Sequence, residues 1–498
     1  MPSRSAWPKR GSVLDCSAVP RVWFGARRSL TARRRSEIGR EFGPVSADWL
    51  LTRGPVRRED SSVTATDSAS RTPRSQPPAD ASARVDSARD ESGFAAAADA
   101  RIEESGGLGQ AVGAGIIAAL VGFTSSFAVV LAGLSAVGAT PAQAASGLLA
   151  VCVTQAVGMA ILSRRYRMPI TLAWSTPGAA LLAGTGAVAG GWAAAVGAFV
   201  VTGVLIVLTG CWARLGRLIT AIPVEIAQAM LAGVLLPLCL APLRALTTSS
   251  AAVVAPVLVV WVVLQRYAQR WAVPGAFATA VAGAAIAMVA GHRAIAVGDL
   301  VPTLEMTVPQ WNWQALIGIG VPLYVVTMAA QNIPGVAVMS SFGYRVPWRA
   351  SMTVTGLGTI VGAPAGGHAI NLAAISAALA AAPSAHPDPR RRWWATVSAG
   401  GTYLVLAPAA AALVALTAAA PAGVLETVAG LALIGTFAAA LTAALGASEH
   451  RVAATVTFLV SASGIAVLGV GAAFWAVVAG LVVRWMLTRP PAAAEPAE

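Results

Sequence analysis

Met168-Pro-Ile-Thr-Leu-Ala-Trp174-Ser-Thr-Pro177-Gly178-Ala-Ala-Leu-Leu182 is a hydrophobic stretch that cannot be one uninterrupted helix. Pro169 and Pro177 bracket a run of Thr, Trp and Ser, and apolar residues resume after Gly178. A second stretch repeats the design: Gly362-Ala-Pro364-Ala-Gly366-Gly367-His368-Ala-Ile-Asn371-Leu-Ala-Ala-Ile375. Lipid offers no partner to a bare N–H or C=O, so irregular backbone at membrane depth survives only against protein or a water-filled cavity. Two such breaks at matching places in two halves point to a transporter's substrate site.

Composition puts both stretches in a membrane. The chain is 56% hydrophobic and 11% charged, against about 25% charged for a soluble domain. Residues 1–105 carry 18 of the 35 basic and 14 of the 22 acidic residues. They show no sustained periodicity and no signal-peptide apolar core, so they read as a disordered tail. The next methionine after Met1 is Met159, so a mis-assigned start is an open expectation, with translation beginning near Val85. Residues 489–498 read as a short C-terminal tail. Basic residues of the membrane part fall in loops, which argues topology and not nucleic-acid binding. Cys16, Cys152, Cys211 and Cys239 have no metal-ligand spacing and read as small hydrophobes, without a disulfide framework.

From Leu108 onward, apolar runs predict an all-α integral membrane protein of about fourteen transmembrane segments, at about 17–25 residues per span. The first seven cover roughly 109–134, 141–162, 169–186, 188–211, 222–243, 251–266 and 273–291. The second seven cover roughly 314–333, 347–362, 365–382, 394–417, 421–445, 451–468 and 470–487. Arginines support the count. With the N-terminus inside, 15 fall on the cytoplasmic side and two, Arg244 and Arg293, outside, as the positive-inside rule requires. Both termini are then cytoplasmic, in the plasma membrane. An odd repeat, duplicated, gives two copies of opposite orientation, a 7+7 inverted repeat whose third and tenth spans are broken.

Ionisable groups within the spans are few, and such groups are functional candidates by default. Glu225 and Glu426 occupy matching positions near the starts of the fifth and twelfth spans; gating and proton coupling are both open for them. His368 follows Gly366-Gly367 and is expected to open a helical run through Asn371. A helix N-terminus favours an anion, and the third span has a similar terminus near Gly178. Two facing termini would hold a carboxylate without Arg or Lys. Gln331 and Asn332 in the eighth span would bind substrate or join helices. Thr124, Ser125 and Ser126 would hydrogen-bond a carboxylate or their own helix, with Phe123 or Phe127 flanking an aromatic ring. Trp174, beside Ser175 and Thr176, is placed to stack on an aromatic ligand.

At these residues the chain resembles the benzoate/proton symporter (BenE-like) family. Trp174-Ser-Thr-Pro-Gly178, Gln331-Asn332-Ile-Pro-Gly335 with Gly343-Tyr344, Gly362 to Asn371, and Asp388-Pro-Arg-Arg-Arg-Trp393 carry the resemblance, over about residues 106–488. It implies a secondary transporter importing benzoate, or a close aromatic carboxylate, with protons, and the fold shared by uracil/xanthine permeases and sulfate-type anion transporters. It further implies a core domain (106–217 and 292–417), a gate domain (218–291 and 418–488) and elevator-like alternating access. Substrate would meet Gly178, His368, Ser125, Gln331 and Asn371, with the ring on Trp174. His368 would carry the proton, with Glu426 next. Where nucleobase permeases are expected to use a carboxylate, this chain has Gln331-Asn332, which suits an anion.

No cofactor is implied, and the partners are the acid, protons and lipid. A homodimer is left open. Another organic anion or a nucleobase on the same fold, and an anion channel, are the rival readings. An enzyme is not expected: no His-Glu-x-x-His motif or nucleophile–base pair is present.

Overall fold

A computed structural model of the chain describes residues 107–247, 251–290 and 300–487. The tails assigned to 1–105 and 489–498, the proposed start at Val85, and Arg293 and Arg489 lie outside the described residues. Among the described residues, sixteen helices and two short strands follow one another. They are α1 Leu108–Ala136, α2 Pro141–Tyr166, β1 Leu172–Trp174, α3 Thr176–Thr185, α4 Gly191–Cys211, α5 Ala213–Thr220, α6 Val224–Leu246, α7 Ala251–Tyr267 and α8 Ala272–Ala290. The second half has α9 Trp313–Ser341, α10 Trp348–Gly362, β2 Ile370–Leu372, α11 Ile375–Ala381, α12 Trp393–Leu406, α13 Ala409–Ala419, α14 Val424–Leu445, α15 Arg451–Ala462 and α16 Ala472–Leu487.

These elements fall on the fourteen expected segments. Seven described helices are long and apolar enough to cross a bilayer unaided. An eighth span is the pair α12–α13, bent by 55° at Ala407-Pro408, where a proline cannot donate to the preceding turn. The rest are shorter helices or the two broken spans. One helix was not expected: α5, read as loop, is a short amphipathic helix with Arg214 and Arg217 exposed and Ile219 buried.

Apolar side chains gain nothing by leaving lipid for protein, so close backbone approach must hold these helices together. Glycines supply it. A Cβ on Gly203 of α4 would sit 2.8 Å from the Gly356 carbonyl of α10, and one on Gly356 would sit 2.7 Å from the Gly203 carbonyl. On α14, a Cβ at Gly430 would lie 2.4 Å from the Leu238 carbonyl of α6, while Gly423 abuts Ala245. That order makes α6 and α14 an antiparallel pair. They are the fifth and twelfth spans, so matching elements of the two halves meet in opposite directions, as an inverted repeat requires. Glu225 and Glu426, in the first turns of α6 and α14, therefore lie at opposite ends of that pair.

The third and tenth spans meet the same way. β1 and β2 form a two-stranded antiparallel ribbon in which Leu172 faces Leu372, Ala173 faces Asn371 and Trp174 faces Ile370. Each strand satisfies the other's backbone where a helix could not continue.

Candidate functional site

Ser175, directly after β1, caps α3: its Oγ accepts from Gly178 N at 3.1 Å. The same hydroxyl lies 2.8 Å from Thr327 Oγ1 of α9. Ser175 N donates to Ala369 O at 2.8 Å, and its own carbonyl lies 3.2 Å from His368 Nε2. One serine thus ties together both broken spans and the eighth. Gly178 is needed for packing as well, since a Cβ there would come within 2.4 Å of Leu323.

His368 is where the expectation needs correction. It does not open a helix. Residues 368–369 belong to no helix and lead into β2, and the half-helix α11 starts only at Ile375 and is seven residues long. Gly366, at φ +89°, turns the chain beside Gly147, where a side chain on either residue would collide. Gly367 N then donates to Gly362 O at 2.9 Å. This hairpin spends the polypeptide that would otherwise have made another helical turn. The pair of facing helix N-termini therefore reduces to one, that of α3. His368 itself is buried, with Nε2 at the Ser175 carbonyl and Nδ1 without a partner among the described residues.

The amides divide their roles. Asn332 is fully buried; its Oδ1 accepts from Leu372 N at 2.8 Å and its Nδ2 reaches Met328 Sδ at 3.2 Å. It holds the edge of β2. Asn371, with its amide turned to satisfy both ends, donates to Leu372 O and accepts from Ser175 N at 3.2 Å. Gln331 is half-buried, and among the described residues its amide has no hydrogen-bond partner. Met328–Asn332 is a π-turn inside α9, the kind of local widening that often marks functional positions. Thr176, at the first helical position of α3, is also half-buried with neither its N–H nor its hydroxyl bonded to protein among the described residues.

The hydroxyls of α1 mostly turn back on their own helix. Thr124 Oγ1 bonds Leu120 O at 2.7 Å, and the Ser125 and Ser126 hydroxyls both bond Gly122 O at 3.0 Å. Ser126 Oγ also accepts from Trp174 Nε1 at 3.0 Å. Trp174 is not an open platform: it is buried, edge-on to Phe123 at 5.8 Å and to Tyr403 at 5.6 Å. Phe127 stacks on Phe123 and meets Phe277 of α8 at 4.7 Å. Together these rings make an aromatic wall beside the ribbon.

Two members of this site escaped the sequence reading. Thr327 is one threonine among many, and only its contact with Ser175 distinguishes it. Tyr403 had a usable signal, a tyrosine within an apolar helix, where the hydroxyl needs a partner. Glu426, exposed, lines a separate cleft, and Glu225 is half-buried in the first turn of α6; no hydrogen bond or ion pair joins either to the ribbon among the described residues.

A family model described as benzoate membrane transport protein (BenE) matches residues 108–486. Inner membrane protein YdcO of Escherichia coli (strain K12) is 38% identical over 289 residues, which is 57% of this chain and 72% of the relative. The benzoate membrane transport protein of Acinetobacter baylyi is 27% identical over 286 residues, 57% of this chain and 71% of that one. Among solved structures, the transmembrane domain of a cyanobacterial bicarbonate transporter, BicA, aligns at 15% identity over 75% of this chain and 96% of its own, with a TM-score of 0.49. Across nearly all of its membrane part, this chain belongs to the benzoate membrane transport protein family, a family of membrane transporters and not of enzymes.

Proposed function

We propose that the chain imports benzoate, or a close aromatic carboxylate, by proton symport across the cytoplasmic membrane, with both termini inside. One observation carries the substrate class. Thr176, with unbonded donors at the α3 N-terminus, follows Trp174 by two residues, and Trp174 packs on Phe123 and Tyr403, with Phe127 stacked on Phe123; Gln331, likewise unbonded among the described residues, lies one turn along α9 from Thr327, which touches Ser175. A helix N-terminus and neutral donors suit a carboxylate, and the rings suit its aromatic body. Lys and Arg are absent from the quoted break segments, so the anion leaves no buried cation behind when it departs.

In this reading the carboxylate lies at Thr176 N–H, Thr176 Oγ1 and Gln331 Nε2, with Ser125 turning toward it. Asn332, Asn371 and Ser175 hold the ribbon that aims these groups. His368 takes the coupled proton on Nδ1, its free nitrogen, and the imidazolium so formed favours the anion beside it. Movement is of a core (spans one to four and eight to eleven) against a gate (spans five to seven and twelve to fourteen), in elevator fashion. The ribbon lies within the core and would travel with it.

The test is labelled-benzoate uptake into proteoliposomes with and without an inward proton gradient, beside empty liposomes. Accumulation above the empty control that needs the gradient and collapses with a protonophore is expected. Uptake equal to the control would reject the benzoate assignment.

A further inference from the structure

Away from the ribbon, a cleft of about 520 Å³ opens between Leu131, Ala132 and Ser135 of α1, Ala183 of α3, Leu238 of α6 and Glu426 of α14. Trp174, Thr176, Gln331 and His368 are not in its lining. Its volume falls within the range of small-molecule sites, about 300–1,000 Å³. The walls are apolar and small, and the lining holds one charged side chain, the Glu426 carboxylate. The cleft lies at the α1 C-terminus and the α14 N-terminus, which is the outer face in the orientation proposed above.

Such a lining discriminates by charge. A carboxylate accepts hydrogen bonds and cannot donate them, and it repels a second carboxylate in a cleft with apolar walls. Among the described residues, the elements packed on α14 bring little to offset this. Arg244, exposed at the end of α6, lies at the same end but makes no ion pair with Glu426 among the described residues. Glu225 on α6, Arg266 and Tyr267 on α7, and Arg451 on α15 lie at the opposite end of their helices, and Cys239 follows Leu238 on α6. Helices α1, α3, α8 and α13 carry no titratable side chain.

We propose that this cleft is an outer site for the neutral, protonated form of an aromatic acid, whose carboxylic O–H donates to Glu426. The proposal rests on the aromatic-acid reading above. It makes the coupled proton arrive on the substrate: the acid waits at Glu426 with its proton, then passes it to the unpartnered Nδ1 of His368 deeper in the protein, leaving the carboxylate at the α3 N-terminus.

Two probes separate the forms. Benzamide is neutral and offers N–H donors; benzenesulfonate is a permanent anion. The Ser135→Cys protein, in a background with Cys16, Cys211 and Cys239 replaced, is labelled from outside with a membrane-impermeant thiol reagent. A ligand at ten times its Kd slows labelling about tenfold. Benzamide, and benzoate at acidic pH, are expected to protect, and benzenesulfonate is not. Glu426→Gln should erase the preference, and Glu426→Asp, which keeps the carboxylate, should retain it. Equal protection by the sulfonate, an unchanged preference in Glu426→Gln, absence of protection by every probe, or an introduced thiol that does not react would each overturn the proposal. Proton-driven uptake measured on the same proteoliposomes keeps the two readings apart. Uptake without protection defeats the outer site alone. Protection without uptake defeats the transport reading alone.

Discussion

Ser175 Oγ and Thr327 Oγ1 lie 2.8 Å apart, and that contact fastens the first broken span to α9, the eighth span, one turn from Gln331. Ser175 keeps Gly178 N as a partner when Thr327 is lost. Thr327→Val is therefore expected to cost about 1 kcal/mol, the net worth of one hydrogen bond. Ser175→Ala removes the α3 cap too, for about 0.5–2 kcal/mol from the cap alone. Thermal unfolding in detergent should rank the wild type first, Thr327→Val second and Ser175→Ala last.

Coupling should separate from transport at His368. The His368→Gln protein keeps a polar side chain at the Ser175 carbonyl but has no nitrogen able to gain a proton. Exchange of labelled for unlabelled benzoate should persist, while gradient-driven accumulation falls to simple equilibration. If this variant still concentrated benzoate against a gradient, the proton role would pass to another group.

The spans themselves were legible because the membrane enforces a simple rule, a long apolar run with arginines at one end. Segments such as 141–162 and 222–243 needed only that rule, and α2 and α6 follow it. The breaks were legible because Pro177, Pro364 and Gly366-Gly367 cannot sit quietly in a helix. Their outcome was not. Leu172-Ala-Trp174 and Ile370-Asn-Leu372 are too short to carry an alternating pattern, and each becomes a strand only because the other lies beside it. The helical start assigned to His368 failed for this reason. The division of labour between Asn332 and Gln331 was hidden as well. Adjacent amides read alike until the π-turn points one at Leu372 N and leaves the other free.

Glycine contacts give a paired test of packing. A methyl on Gly147 would lie 2.5 Å from the Gly366 carbonyl, whereas one on Gly435 meets nothing within 4 Å. Gly147→Ala is expected to lose about 1–3 kcal/mol through overpacking. Gly435→Ala should be neutral or gain up to about 1 kcal/mol from helix propensity. Melting temperatures of the two purified variants, read side by side, check both signs.

Arg392 is buried although it follows two arginines at a loop. It donates to the carbonyls of Ala381, His386 and Pro387 at 2.8, 2.7 and 3.1 Å, and Ala381 ends the half-helix α11. Lysine cannot reproduce that fork. Arg392→Lys should lower stability by about 2 kcal/mol, on the scale of one lost charge-assisted bond. Arg390→Lys, on the exposed side of the loop, should leave the melting temperature unchanged.

The β1–β2 ribbon also has a consequence for biogenesis. Its two strands are about two hundred residues apart in the chain. During synthesis the first strand must enter the bilayer long before its partner exists, with its backbone groups unmatched in a medium that punishes this. The nascent first half should therefore be a substrate for insertion chaperones or proteases until residue 372 has emerged. Each half expressed alone should be degraded, and the two halves co-expressed as separate chains should protect one another.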